Sequence, residues 1–130
     1  MLTTGLEGTA RETVTEPMTA ERVGSGDLPV LATPALLALV EQAAVAAVAG
    51  ELDPGTTTVG ARVELDHLAP TPVGAEVSAV ARLEEVDGRK LRFFFRVTDP
   101  AGPVATGTHL RVVVDRERFV AQAEGRGQPR

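Results

Sequence analysis

From Pro34 to Ala49 the chain reads PALLALVEQAAVAAVA, and only Glu41 and Gln42 among those 16 residues are strongly polar. Alanine and leucine are the best helix formers, so the run predicts one long helix. Thr33 suits its N-cap, Pro34 the first helical position, where a missing N–H costs nothing, and Gly50 its end. A surface helix needs a polar face, and this one has almost none, so other structure has to wrap it. Lipid is not that wrapping. The longest uncharged stretch, Leu28 to Val40, has 13 residues, against roughly 20 for a bilayer crossing.

The wrapping is predicted to be a sheet. After Gly55 the apolar period changes to two, with Val59, Ala61, Val63 and Leu65 alternating against Gly60, Arg62, Glu64 and Asp66. His67 falls in register with the apolar set. Val77, Ala79, Ala81 and Leu83 form a second face, and Asp87-Gly88 is a hairpin signal. Leu91, Phe93, Phe95 and Val97 return the chain. After the turn Pro100-Ala101-Gly102-Pro103, a last strand sets Val104, Thr106, Thr108, Leu110, Val112 and Val114 on one face, with His109 opposite. A short strand over Thr9–Thr15 precedes the helix. One strand, one apolar helix and four hairpin-linked strands predict an α+β chain of the hot-dog type, a long central helix wrapped by an antiparallel five-stranded sheet. The edges of so small a sheet favour pairing into a homodimer. Residues 1–122 read as a single domain and the polar, Gly-rich 123–130 as a flexible tail.

Composition narrows the function. Thirteen basic against 18 acidic side chains give a net charge of −5, which argues against a nucleic-acid partner. There is no cysteine and there are two histidines, too few soft ligands for a metal site. The N-terminus lacks a basic head followed by an apolar run, so a cytoplasmic protein is expected. Four phenylalanines are the only aromatic residues, so Val, Leu and Ala must fill the core.

Few residues are left to carry chemistry. Glu41 has Leu37, Ala38, Ala44 and Val45 as its helical neighbours, which places a lone carboxylate in a pocket or at an interface. Desolvation there would raise its pKa, as suits a general base or nucleophile. His67 ends an alternating strand on its inward face, ahead of the irregular Leu68–Gly74 loop. His109 reads as structural or surface. Thr33 is a simple N-cap or, together with the free N–H groups of the helix start, a means of polarising a carbonyl. Gly60 weakens its strand unless something needs close access to the backbone. No GxSxG elbow, HExxH motif or Gly-rich phosphate loop is present, and Ser25 and Ser78 lack a nucleophile context.

The segment Val30-Leu31-Ala32-Thr33-Pro34 is followed by Glu41, by Val59-Gly60-Ala61 with His67, and by Pro70-Thr71-Pro72-Val73-Gly74. With Ala105–Arg111, it resembles the fluoroacetyl-CoA thioesterase group of hot-dog proteins over roughly Pro29 to Phe119. The resemblance implies a homodimeric acyl-CoA thioester hydrolase with its site at the subunit interface and no cofactor. Thr33, Glu41 and His67 match the family's catalytic threonine, glutamate and histidine, and Gly60 a glycine whose backbone lies at the acyl site. By that analogy Glu41 attacks the thioester carbonyl or activates water, His67 handles protons and positions the water, and Thr33 holds the acyl group or the carboxylate. One departure stands out. Met18–Pro29 is shorter than the fluoroacetyl-specific member's segment and lacks the aromatic residues of its lid, so weak fluoroacetyl selectivity is expected. Arg62, Arg82, Arg89, Lys90, Arg92, Arg96 and Arg111 are all open as partners for CoA phosphates. The alternative is a non-catalytic hot-dog dimer that binds an acyl ligand. In a regular helix Thr33 and Glu41 lie about 12 Å apart along the axis. A shared site then needs a long substrate or a second subunit.

Overall fold

The computed structural model describes residues 1–128. In chain order the elements are β1 (Glu7–Thr13), α1 (Ala20–Val23), α2 (Thr33–Ala47), β2 (Thr56–His67), β3 (Glu76–Asp87), β4 (Lys90–Asp99), β5 (Gly102–Asp115) and α3 (Arg116–Gly127), with a 3₁₀ turn at Glu16–Met18. The strands form one antiparallel sheet in the order β1-β3-β4-β5-β2. The β3–β4 hairpin closes between Asp87 and Lys90, and Gly88 supplies the positive φ of 60° that the two-residue turn requires.

Helix α2 lies in the hollow of this sheet and buries Leu36, Leu39, Val40, Ala43, Ala44 and Ala47. Small residues let it approach. A Cβ on Gly8 of β1 would overlap the backbone of Ala43 and Ala47, and Ala79 and Ala81 of β3 are fully buried. Phe93 and Phe95 of β4 fill the remaining depth at 0% exposure. Phe95 pairs across the ladder with Gly107, where a Cβ would lie 2.7 Å from the Phe95 ring. A core poor in aromatics is thus built by matching a few large side chains to missing ones.

The structure differs from the sequence reading in several places. Wrapping of α2 is one-sided: Ala38 and Gln42 are exposed and Val45 is 47% exposed, along the face that carries Glu41. Strand β1 starts at Glu7 rather than Thr9, because its contact residue Gly8 adds nothing to an apolar alternation. Strand β5 turns the other face inward beyond Val104, which is buried as expected but is the extra residue of a bulge between Pro103 and Ala105. Ala105, His109 and Arg111 are buried, while Leu110, Val112 and Val114 are only half-buried. Residues 123–127, read as tail, continue α3 with exposed side chains, and residues 129–130 lie outside those described. No helix among the described residues is long and apolar enough to cross a membrane.

Candidate active site

The singled-out residues fall into two groups on strand β2. The first joins Thr33 and His67. Thr33 is the first residue of α2 rather than its N-cap, which is Ala32, so its hydroxyl is free of the capping role. Thr33 Oγ1 instead lies 2.8 Å from Nδ1 of His67, the last residue of β2. His67 Nε2 is buried and has no hydrogen-bond partner. A buried ring nitrogen without a partner is costly unless something else satisfies it. A shallow cleft of about 230 Å³, lined by Val30, His67, Leu68, Ala69 and Pro70, opens beside it.

The second group surrounds Glu41. Its carboxylate lies over Gly60, where a Cβ would come 2.5 Å from Oε2. A register shift between Gly60 and Arg62 places Ala61 in a β-bulge, which bends the strand beneath the carboxylate. Glu41 is not desolvated as the sequence suggested: its side chain is 40% exposed, and Arg111 Nη1 donates to Oε2 at 3.1 Å. The Arg111 side chain is only 7% exposed. Its Nε donates to Thr58 Oγ1 at 2.9 Å, its Nη2 to the Thr58 carbonyl at 3.1 Å, and its Nη1 also to His109 Nε2 at 3.1 Å. Such a set of acceptors is what a buried guanidinium needs. Arg111 is therefore spent inside the fold and is removed from the side chains open for CoA phosphates.

His109 is also inside, at 1% exposure, where the sequence left it structural or on the surface. Its Nδ1 pairs with the Arg62 carbonyl at 2.9 Å. Burial pushes its pKa below the ordinary 6.5; the Arg62 carbonyl opposes this, the Arg111 charge adds to it, and Glu41 opposes it. The sequence does not reveal Thr58, nor the buried roles of His109 and Arg111, because hydropathy turns the more apolar face of β5 inward. The small residues Ala105 and Gly107, in phase with His109 and Arg111, carried the opposite signal.

The two groups stay apart within one chain. Thr33 and Glu41 both lie on the regular helix α2, about 12 Å apart along its axis at 1.5 Å per residue. One group offers a hydroxyl, an imidazole and the N–H groups of a helix start; the other offers a half-exposed carboxylate with a cation behind it. The first suits a carbonyl and its water, the second nucleophilic or base chemistry.

Comparison with known proteins gives this arrangement a context. The family model of the fluoroacetyl-CoA-specific thioesterases matches residues 14–117. The fluoroacetyl-CoA thioesterase of Streptantibioticus cattleyicolor is 37% identical over 93 residues, 72% of this chain and 67% of that protein. A solved structure of the fluoroacetyl-CoA thioesterase FlK superimposes with a TM-score of 0.91 at 30% identity, covering 99% of both chains. A thioesterase superfamily member from Thermus thermophilus superimposes with a TM-score of 0.88 at 25% identity, over 95% of this chain and 92% of the other.

Proposed function

The chain belongs to the fluoroacetyl-CoA-specific thioesterase family, and from that premise we propose that it hydrolyses the thioester of a small acyl-CoA to the free acid and CoA. Glu41 is the reacting carboxylate. Either it attacks the thioester carbonyl, expelling CoA thiolate and leaving an anhydride that water opens, or it takes the proton of an attacking water. His67 positions the water and protonates the leaving thiolate, and Thr33 holds the acyl carbonyl or the product carboxylate. Gly60 keeps the backbone side of the acyl site open. The observation that carries this reading is the placement of Glu41: it is solvent-accessible, yet aimed by a buried guanidinium over a strand position without a side chain.

The working unit in this proposal is a homodimer. Strand β2 is an unpaired sheet edge of 12 residues, a liability that proteins normally cover. Both groups sit along it, Gly60 with Glu41 and His67 with Thr33. Antiparallel pairing of β2 with a second copy, about a twofold near Val63 and Glu64, would set Glu41 of one subunit beside Thr33 and His67 of the other. The same pairing would cover the exposed apolar face of α2 around Val45.

The test is a release assay on acetyl-CoA with a thiol reagent. The Glu41→Gln variant, folded as wild type, is expected to lose at least about 10²-fold in kcat. Mixing inactive Glu41→Gln and His67→Ala subunits should restore roughly a quarter of the wild-type rate, since about half the dimers are hybrids with one intact site of two. Near-wild-type turnover by Glu41→Gln would give the carboxylate a structural role, and binding without turnover by the wild type would make this chain an acyl-CoA binder. No recovery on mixing would place each site within one subunit.

A further inference from the structure

We infer that His109 is a positioning residue for this site: its Nε2 accepts one proton of Arg111 Nη1 and thereby aims the other at Glu41. The inference rests on the reading of Glu41 as the reacting carboxylate. A carbonyl oxygen can only accept, so the contact to Arg62 at 2.9 Å puts the proton on His109 Nδ1. A guanidinium can only donate, so Nε2, 3.1 Å from Arg111 Nη1, is a lone pair. The two neighbours select one neutral tautomer, and burial keeps it neutral.

The geometry of the guanidinium makes this matter. Nη1 carries two hydrogens in the rigid plane of the group. One meets Glu41 Oε2 and the other His109 Nε2, both at 3.1 Å, while Thr58 holds the Nε and Nη2 side. Without the acceptor on His109, one Nη1 hydrogen is buried and unpaired, and the guanidinium gains by shifting against its Thr58 contacts toward another acceptor. The carboxylate would then be drawn away from its seat over Gly60. His109 itself is fixed by the β2 bulge that shapes that seat, since Arg62 directly follows the bulged Ala61. The Phe93 ring of β4, with its centroid 6.4 Å away, bounds the imidazole. The charged groups facing His109 are Glu41 of α2, at 4.0 Å from Nε2, and Arg111 of β5. Protonation would place an N–H against the Arg111 N–H and end the acceptor role.

Three variants separate positioning from bulk. His109→Gln keeps an acceptor at the reach of Nε2. His109→Asn ends one bond shorter, able to donate to the Arg62 carbonyl but not to meet Arg111. His109→Phe keeps a ring without polar atoms. With acetyl-CoA, the Asn and Phe variants are expected to lose about 10–100-fold in kcat, with KM held within about threefold, and Gln to recover most of the loss. The Arg111 Nη resonances should stay separate in wild type and the Gln variant and collapse to an exchange average in Asn and Phe. Wild-type kcat in folded Asn and Phe variants, or a Gln variant as slow as Phe, overturns the inference. If the wild type hydrolyses no acyl-CoA, the functional reading falls and the Nη resonances decide alone, their indifference to all three variants overturning the positioning role. Should no variant fold, the ¹⁵N shifts of wild-type His109 decide, since a protonated Nε2 at neutral pH is incompatible with it.

Discussion

Gly60 and Glu41 form a lock of two parts, one of which is an absence. A Cβ at position 60 would sit 2.5 Å from Glu41 Oε2 and 3.4 Å from Arg111 Nη1. The carboxylate is the far end of a flexible, 40% exposed side chain, so it can swing away at little cost to the fold. Gly60→Ala is therefore expected to change stability by less than about 1 kcal/mol yet lower kcat by at least about tenfold; parallel urea titration and turnover measurements check this, and equal kcat would detach Glu41's position from its role. His109 supplies a pH dependence of stability. Its folded pKa lies below the 6.5 of an ordinary histidine, chiefly through burial. As pH falls below 6.5 the unfolded chain takes up a proton that the folded chain resists. The stabilisation is full above 6.5 and is lost progressively toward the folded value. Urea unfolding at stepped pH should thus show the wild type weakening more steeply below 6.5 than His109→Gln. Parallel curves would contradict it.

The helix and the sheet meet through what is missing from β1. A Cβ on Gly8 would overlap main-chain atoms of Ala43 and Ala47, and backbone cannot move aside as a side chain can. Gly8→Ala should force α2 off β1 and destabilise by about 1–3 kcal/mol, read as a fall in the urea midpoint; an unchanged midpoint would mean that the two elements adapt freely. Helix α2 was legible because its alanines and leucines leave a single reading. Strand β5 was not. Both of its alternating sets contain apolar residues, and the set with Leu110, Val112 and Val114 is the more hydrophobic. Burial went to the other because Arg111 and His109 satisfy each other with Thr58, Glu41 and the Arg62 carbonyl. A polar network closed on itself can occupy a core face that hydrophobicity alone would assign elsewhere.

As a whole molecule, this chain carries its proposed chemistry on one edge strand and one open helix face. Light scattering at micromolar concentration is expected to give the mass of a dimer, and a monomer mass would remove the composite site. Selectivity is expected to be modest. The path from Met18 to Pro29 contains the four-residue helix α1 and no aromatic side chain, and Leu28 is 61% exposed. With no bulky cover, a single fluorine should be discriminated no better than a methylene in an apolar pocket, by roughly 10–200-fold in kcat/KM. Paired kcat/KM values for fluoroacetyl-CoA and acetyl-CoA check this, and a ratio above about 10⁴ would mean that other groups do the work of a lid.

Local chemistry sufficed for much of this protein. The apolar helix, the period-two strands and the Asp87-Gly88 turn each answer to propensities and repeats a few residues long, and together they admit only a helix held in an antiparallel sheet. Thr33, Glu41 and His67 come together as one set only through the resemblance to the fluoroacetyl-CoA thioesterases, not through any local pattern. Contacts between distant residues decided the rest. Which face of β5 is buried, that Thr33 meets His67 across 34 positions, and that Arg111 serves Glu41 across 70 depend on strand register and on bulges at Val104 of β5 and Ala61 of β2. A one-residue bulge exchanges the faces of everything beyond it, and no local pattern records that.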